Sequence, residues 1–260
     1  MKAFGIWRSA PPFLFLVTGL LLAATCQAQA IEAPAFVMGI DDSGSPPDSY
    51  SDNLFRRIYT EAFRRLQVPL AFARYPTARL AVMLEQGSLD GESSRAQDYA
   101  TAHPKLIRVP EPVYSVVFSL YTANPQLQLR QLSELREGSL RVEYRVGVLF
   151  CENTLVQWVD ANRLTAISSA QLALRKLLLG RTDAYCEIDI VILNQQHTTE
   201  FQDATTLRKL LDIGEPVPLY TYLSPKNADL AQRLAATLKQ MKLEGLIARY
   251  EQAVLRELGR

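Results

Sequence analysis

The sequence predicts an α/β protein built as two similar lobes, each a mostly parallel sheet flanked by helices, and three observations carry that reading. Short apolar segments alternate with amphipathic ones along the chain, the pattern of βαβ units and a parallel sheet. One phrase is written twice: "ARLAVMLEQGSLDGESSR" at 78–95 and "ALRKLLLGRTDAYCEID" at 173–189. Each runs through an apolar helix, a glycine, two residues and an aspartate followed by Gly or Ala. Two long extended stretches, "KLIRVPEPVYSVVFSLYT" (105–122) and "EPVPLYTYLS" (215–224), stand where the chain would cross between the lobes.

Taken in order, "AFVMGI" reads as the first strand and "DDSGSPPDSY" as a loop rich in turn formers. "SDNLFRRIYTEAFRRLQ" reads as a helix with Ser51 as N-cap; Leu54, Ile58, Ala62 and Leu66 fall on one face. "PLAFARYP" is a strand, "TARLAVMLEQ" a helix stopped by Gly87, and "SLDG" a short third strand. After the first crossing the pattern restarts. "YRVGVLF" reads as a strand, 153–162 as a helix, "LTAI" as a weak strand and "SAQLALRKLLL" as a helix stopped by Gly180. "TDAYCEI" closes this half as a strand. After the second crossing, "NADLAQRLAATLKQMK" and "LEGLIARYEQAVLREL" read as two closing helices.

The first thirty residues differ in kind. Lys2 and Arg8 precede the apolar run "PPFLFLVTGLLLAAT", and Ala28-Gln29-Ala30 follows, which predicts a secretory signal cleaved after Ala30 and a periplasmic protein. The rival reading is a lipoprotein signal at Cys26, against which Thr25 is a poor preceding residue. The run is short for a membrane span. The whole chain has 260 residues, 48% of them hydrophobic, enough for real cores. Cleavage would remove Lys2 and Arg8 and leave 26 basic against 27 acidic residues, a formal charge of −1. That balance excludes long-range attraction to nucleic acid or an anionic membrane. Cys151 and Cys186 remain, each read at a strand end. They are either a disulfide between neighbouring strands or two buried thiols, and the sequence leaves both open.

The order of "ARLAVMLEQGSLDG", "IRVPEPVY", "YRVGVLFCENT", "LRKLLLGRTDAY" and "LSPKNADLAQRLAATLKQMKLEGLIARY" resembles the extracytoplasmic solute-binding proteins of family 3, the polar-amino-acid-type receptors of ATP-binding-cassette importers. The resemblance covers essentially all of 31–260. It implies a two-lobed periplasmic-binding-protein-like (type II) fold with two hinge crossings, near 110–118 and 216–224. Lobe 1 would be 31–112 with 222–260, and lobe 2 would be 113–221. It further implies that a monomer captures a small polar solute, an amino acid or related organic acid, in the cleft between lobes and passes it to a membrane permease for import. The family's carboxylate-binding arginine sits in a Thr-x-x-Arg phrase after the third strand; here that region reads "ATAHPK", with Thr101 in place but Pro104 where the arginine belongs.

Ligands of open α/β sheets bind beyond the carboxyl ends of the strands. Asp41 and Asp42 stand there after the first strand, Tyr75 with Arg74 at the second, and Glu92, Ser93, Ser94 and Arg95 at the third. From the other half come Glu152, Asn153 and Thr154, then Tyr185 and Glu187. Arg95 offers a two-pronged grip on a carboxylate, or else pairs on the surface with Glu92 or Asp98. Asp41 and Asp42 would receive an ammonium, or serve their own loop. Tyr50, Tyr75, Tyr114 and Tyr185 would stack on or hydrogen-bond a ligand, with lobe packing as the alternative. Asn153 or Thr154 would cap a helix whose N–H groups favour an anion. Asp90 and Asp183, repeated in the phrase, hold turn or strand-end geometry.

The chemistry-bearing motifs of enzymes are missing. Only His103 and His197 are present, both in polar contexts, and there is no Gly-x-Ser-x-Gly elbow, Gly-rich phosphate loop or Cys-x-x-Cys. The expectation is therefore a binding protein with no catalytic residue, metal or cofactor. The alternatives are a module docking on a membrane sensor, or a dehydratase-like enzyme on the same fold using Glu92 and Glu187.

Overall fold

The structure, a computed structural model, describes Met1, residues 35–42 and residues 46–258. The expected signal segment, with Cys26 and the cleavage point, lies outside the described residues apart from Met1. Pro34–Arg260 forms one compact unit.

The first half contains β1 (Phe36–Asp41), α1 (Tyr50–Leu66), β2 (Leu70–Tyr75), α2 (Thr77–Glu85) and β3 (Gly91–Ala96), then a short α3 (Tyr99–Ala102) and β4 (Ile107–Arg108). The chain crosses on β5 (Tyr114–Thr122). The second half contains α4 (Glu134–Glu137), β6 (Val142–Arg145), α5 (Leu149–Leu155), β7 (Leu164–Ile167), α6 (Ala170–Leu178), β8 (Ala184–Ile188) and α7 (Asp189–Gln196). The long β9 (Arg208–Leu223) returns to the first half, where α8 (Ala228–Leu243) and α9 (Leu246–Glu257) complete it.

Pairing follows the order β2-β1-β3-β9-β5-β8-β6-β7. β1, β2 and β3 pair in parallel, as do β6, β7 and β8. Between these two parallel sets run β9 and β5, antiparallel to each other and to their neighbours. The ladder is thus continuous but curled, and the two halves are joined by a two-stranded ribbon. The ribbon shifts register between Val116 and Phe118, opposite Ile213 to Val217. Gly214 there takes φ +73°, and Pro216 and Pro218 cannot donate to the ladder. The N–H of Val117 turns instead to the Asp189 carboxylate (3.2 Å).

Each half has its own cores. Leu54, Ile58 and Ala62, the predicted stripe of α1, pack against Leu234, Leu238 and Met241 of α8, while Leu80, Leu84 and Leu89 pack with Tyr222. In the second half Val142, Leu155 and Leu120 form one cluster, and Ala173, Leu174, Leu177 and Tyr185 another. Ile190 of α7 is an exception: it belongs to the same cluster as Leu54 and Ile58, so α7 reaches across to the first half.

The repeated phrase acquires a mechanical meaning. Gly87 and Gly180 follow α2 and α6 with φ of +72° and +64°, a turn that costs a Cβ-bearing residue but not glycine. Asp90 then accepts a hydrogen bond from the N–H of Val37 at the start of β1 (2.8 Å), and Asp183 from the N–H of Arg141 just before β6 (2.8 Å). Each aspartate satisfies a backbone donor that the neighbouring strand leaves unpaired.

Several boundaries depart from the sequence expectations. The N-cap of α1 is Ser49, whose Oγ accepts from Asp52 N–H, and not Ser51. The third strand is 91–96 and not 88–91, because Asp90 ends the turn and pairing begins at Gly91 opposite Met38. The strand read in "YRVGVLF" stops at Arg145: Gly147 turns the chain at φ +86° and α5 begins at Leu149. Cys151 therefore sits in a helix and not at a strand end, and Asn153 and Thr154 lie inside α5 and do not cap it.

Candidate functional site

The cleft between the halves is built from the carboxyl ends of β1, β3 and β6, the start of α7 and the β6–α5 loop. One cavity of about 680 Å³ is lined by Asp41, Ser94, Arg95, Asp98, Tyr99, Arg145, Ile188 and Ile190, among others. A second, of about 590 Å³, shares Ala96, Asp98, Arg145 and Ile188 with the first and continues along Phe118, Val146, Leu149, Phe150 and Val217.

From each half an arginine faces this space, held by a buried glutamate that also accepts from a tyrosine hydroxyl. In the first, Glu92 is buried in β3, ion-paired with Arg95 and accepting a hydrogen bond from the Tyr99 hydroxyl (2.9 Å). Burial pushes the Glu92 carboxyl above the usual range; Arg95 and Tyr99 pull it back, and nearby Asp41 adds to the rise. The Arg95 guanidinium lies over the Tyr99 ring (5.5 Å) and 4.0 Å from Asp41. Its side chain is only 16% exposed, and its Nε has no hydrogen-bond partner. Arg95 lines the first cavity, where its guanidinium can meet an acceptor from a ligand.

In the second half, Glu187 is fully buried at the end of β8 and accepts two hydrogen bonds from Arg145, from Nε (2.5 Å) and Nη2 (3.2 Å). The Tyr185 hydroxyl donates to the same carboxylate (2.7 Å). Burial and the Glu187 charge push the Tyr185 phenol upward, so it stays a donor. For Arg145, burial disfavours the charge, but Glu187 more than offsets it and the net shift is upward. Both arginines are thus oriented by carboxylates set behind them.

At the wall of the first cavity, Ser51 at the start of α1 exchanges hydrogen bonds with Asn194 of α7. Ser51 N–H donates to Asn194 Oδ1 (3.0 Å), and Asn194 Nδ2 donates to Ser51 Oγ (2.9 Å). Both residues are buried. The Cys151–Cys186 disulfide ties α5 to β8, next to Glu187.

The predicted residues distribute unevenly over this geometry. Asp41, Ser94 and Arg95 line the cleft. Glu92, Tyr185 and Glu187 lie behind the arginines. Asp42, Tyr50, Tyr75, Ser93, Tyr114, Glu152, Asn153 and Thr154 line neither cavity. Asp42 pairs with Arg74, which also pairs with Asp52. Tyr50 is buried in the first-half core with its hydroxyl 3.5 Å from that of Tyr114, which opens onto a separate recess with Lys242 and Glu251. Tyr75 lies under the Arg79 guanidinium. The Ser93 carbonyl accepts from the buried Tyr59 hydroxyl. Arg145, Tyr99, Phe118 and Phe150 have no part in the sequence expectations, and Asp98 enters them only as a partner for Arg95. Gly147 was the available signal for Arg145, since a glycine there marks the strand end that puts Arg145 at the cleft.

Among the described residues no group of three or more His, Cys, Asp or Glu is placed to hold a metal ion, and no helix is long and apolar enough to cross a membrane.

No protein-family model matches the sequence. An uncharacterized protein of Shewanella oneidensis is 30% identical over 247 residues, spanning 91% of this chain and 92% of that protein. The two belong to one family. Among solved structures, the L-cystine solute receptor of Neisseria gonorrhoeae in its unliganded open conformation matches with a TM-score of 0.68 at 10% identity, over 85% of this chain and 92% of the receptor. A histidine kinase sensor domain with similarity to periplasmic binding proteins matches with a TM-score of 0.60 at 15% identity, over 85% of this chain and 96% of that domain. This chain therefore has the two-lobed periplasmic-binding-protein fold.

Proposed function

We propose that this chain is an extracytoplasmic solute-binding protein, similar to family 3, that holds a small amino acid or related organic acid between its lobes. The observation that carries the reading is the pair of arginines, Arg95 and Arg145, presented to one cleft from opposite lobes by Glu92 and Glu187. A ligand carboxylate takes the guanidinium donors, and Asp41 and Asp98 stand in the same space to take an ammonium. The solved amino-acid-binding proteins that share the fold support this reading. Binding begins on one lobe. The ribbon then bends at its register break, and ligand favours the closed form only by its preference for it. Export through the 1–30 signal, a monomeric state and delivery to an importer belong to the same proposal. The likeness to a sensor domain favours one second reading, in which the loaded protein docks on a membrane sensor.

The test is a thermal-shift screen of residues 31–260 against amino acids, opines, organic acids and small amines. A specific ligand raises the melting temperature through mass action on the native state. Arg95→Ala abolishes that rise, measured against the variant's own ligand-free melting temperature, which itself falls because buried Glu92 loses its ion-pair partner. A shift that survives Arg95→Ala refutes the assignment of Arg95.

A further inference from the structure

The second cavity has a character the proposed function does not use. Val146, on the loop that leads from β6 into α5, and Leu149 and Phe150, which open α5, are 61%, 64% and 36% exposed. Large apolar side chains left open to water at adjacent positions are unusual unless something covers them. Here all three line the cleft, and the wall they form continues into Phe118, Ile188 and Val217. The Phe150 ring is stacked on Phe118 (4.4 Å between centroids) and faces Gly214, where an added Cβ would come within 3.0 Å of it. Glycine at 214 leaves that ring its seat. Arg145 supplies the one guanidinium in the lining of this cavity and Asp98 the one carboxylate, and both also line the first cavity. The space is therefore divided: a charged end shared with the first cavity, and an apolar end beyond it.

We propose that the solute carries a bulky apolar body, aromatic or branched aliphatic, on a carboxylate head. The head lies between Arg145 and Arg95 and the body lies against Phe118, Leu149 and Phe150. This rests on the solute-binding reading and narrows it. A polar side chain in that place would give up its water without finding partners, whereas an apolar one removes its own surface and that of Leu149 and Phe150 from water together. The Cys151–Cys186 bond holds the start of α5, and so this wall, in register with Glu187 and Arg145.

Isothermal titration of residues 31–260 with L-phenylalanine, L-leucine, L-glutamate and glycine tests this. L-phenylalanine or L-leucine is expected to bind at least tenfold tighter than L-glutamate or glycine. Leu149→Ser and Phe150→Ser each weaken the apolar ligand by roughly tenfold. Leu149 is mostly exposed, so Leu149→Ser leaves the ligand-free melting temperature within about 4 °C of the wild type, whereas Phe150→Ser also loses the Phe118 stack and lowers it further. If L-glutamate or glycine binds as tightly as the apolar probes, or if neither serine variant weakens them, this inference fails while the solute-binding reading stands. If none of the four binds, this inference fails, and the solute-binding reading is decided by the wider thermal-shift screen.

Discussion

Removing the Cys151–Cys186 bond should cost both stability and binding. The bond closes a loop of 35 residues. In the chain-entropy account, that closure lowers the entropy of the unfolded chain by an amount worth about 4 kcal/mol at room temperature. For a folded unit of this size, each kcal/mol moves the melting temperature by about 2–4 °C. The double variant Cys151→Ala/Cys186→Ala should therefore melt roughly 8–16 °C lower than the oxidised protein. Reduced wild type should fall by a similar amount, which separates loss of the cross-link from loss of two buried side chains. The assay is far-ultraviolet circular dichroism on heating, with thiol titration to confirm that the oxidised sample has no free thiol from this pair. The function should suffer too, because the bond fastens the helix carrying Leu149 and Phe150 to the strand carrying Glu187. A fall of less than about 2 °C in both samples would refute the reasoning, since the cross-link would then constrain nothing that folding needs.

Other perturbations read other parts of the structure. Asn194→Ala removes two buried hydrogen bonds between α7 and α1, worth about 1–3 kcal/mol together. It should lower the urea midpoint and raise the radius of gyration of the ligand-free protein; an unchanged radius would show that the bridge does not hold the lobes together. Asp90→Ala strips the Val37 N–H of its acceptor and should cost about 1–2 kcal/mol by urea denaturation, with Asp183→Ala costing a similar amount through Arg141. Glu92→Gln should change the pH dependence of stability. The folded-state value of Glu92 lies above its unfolded value, so its contribution is complete below the unfolded value and is lost as pH rises through the folded one. The wild type should accordingly lose ground to Glu92→Gln as pH rises above the ordinary glutamate range; urea midpoints that stay parallel as pH rises would contradict the burial argument.

The architecture was legible because its signals are local. The glycines after α2 and α6, the apolar stripe of α1 and the repeated aspartates each express a backbone requirement that only certain residue types meet. The aspartates were read as geometric, and the Val37 and Arg141 hydrogen bonds bear that out. The cleft was legible only in part. Arg145 was hidden because "YRVGVLF" is apolar enough to pass for one strand, and only Gly147 betrays the break. Tyr50 ends the turn-rich segment "DDSGSPPDSY" in the sequence, yet α1 begins with it and it is buried in the core. The first half of β9, "RKLLDIG", went unread because its partner is β5, far away in sequence, and local periodicity does not report such pairing. α7 was missed for a related reason: it follows β8 with no intervening loop, so "IDIVIL" shows one apolar run across both elements.

The most direct test of the account is a crystal structure of residues 31–260 with a solute that raises the melting temperature. The account predicts density for that solute between the lobes, its carboxylate within hydrogen-bond distance of Arg95 or Arg145. Density elsewhere, for instance in the recess beside Tyr114 and Glu251, with only water between the two arginines, would contradict it.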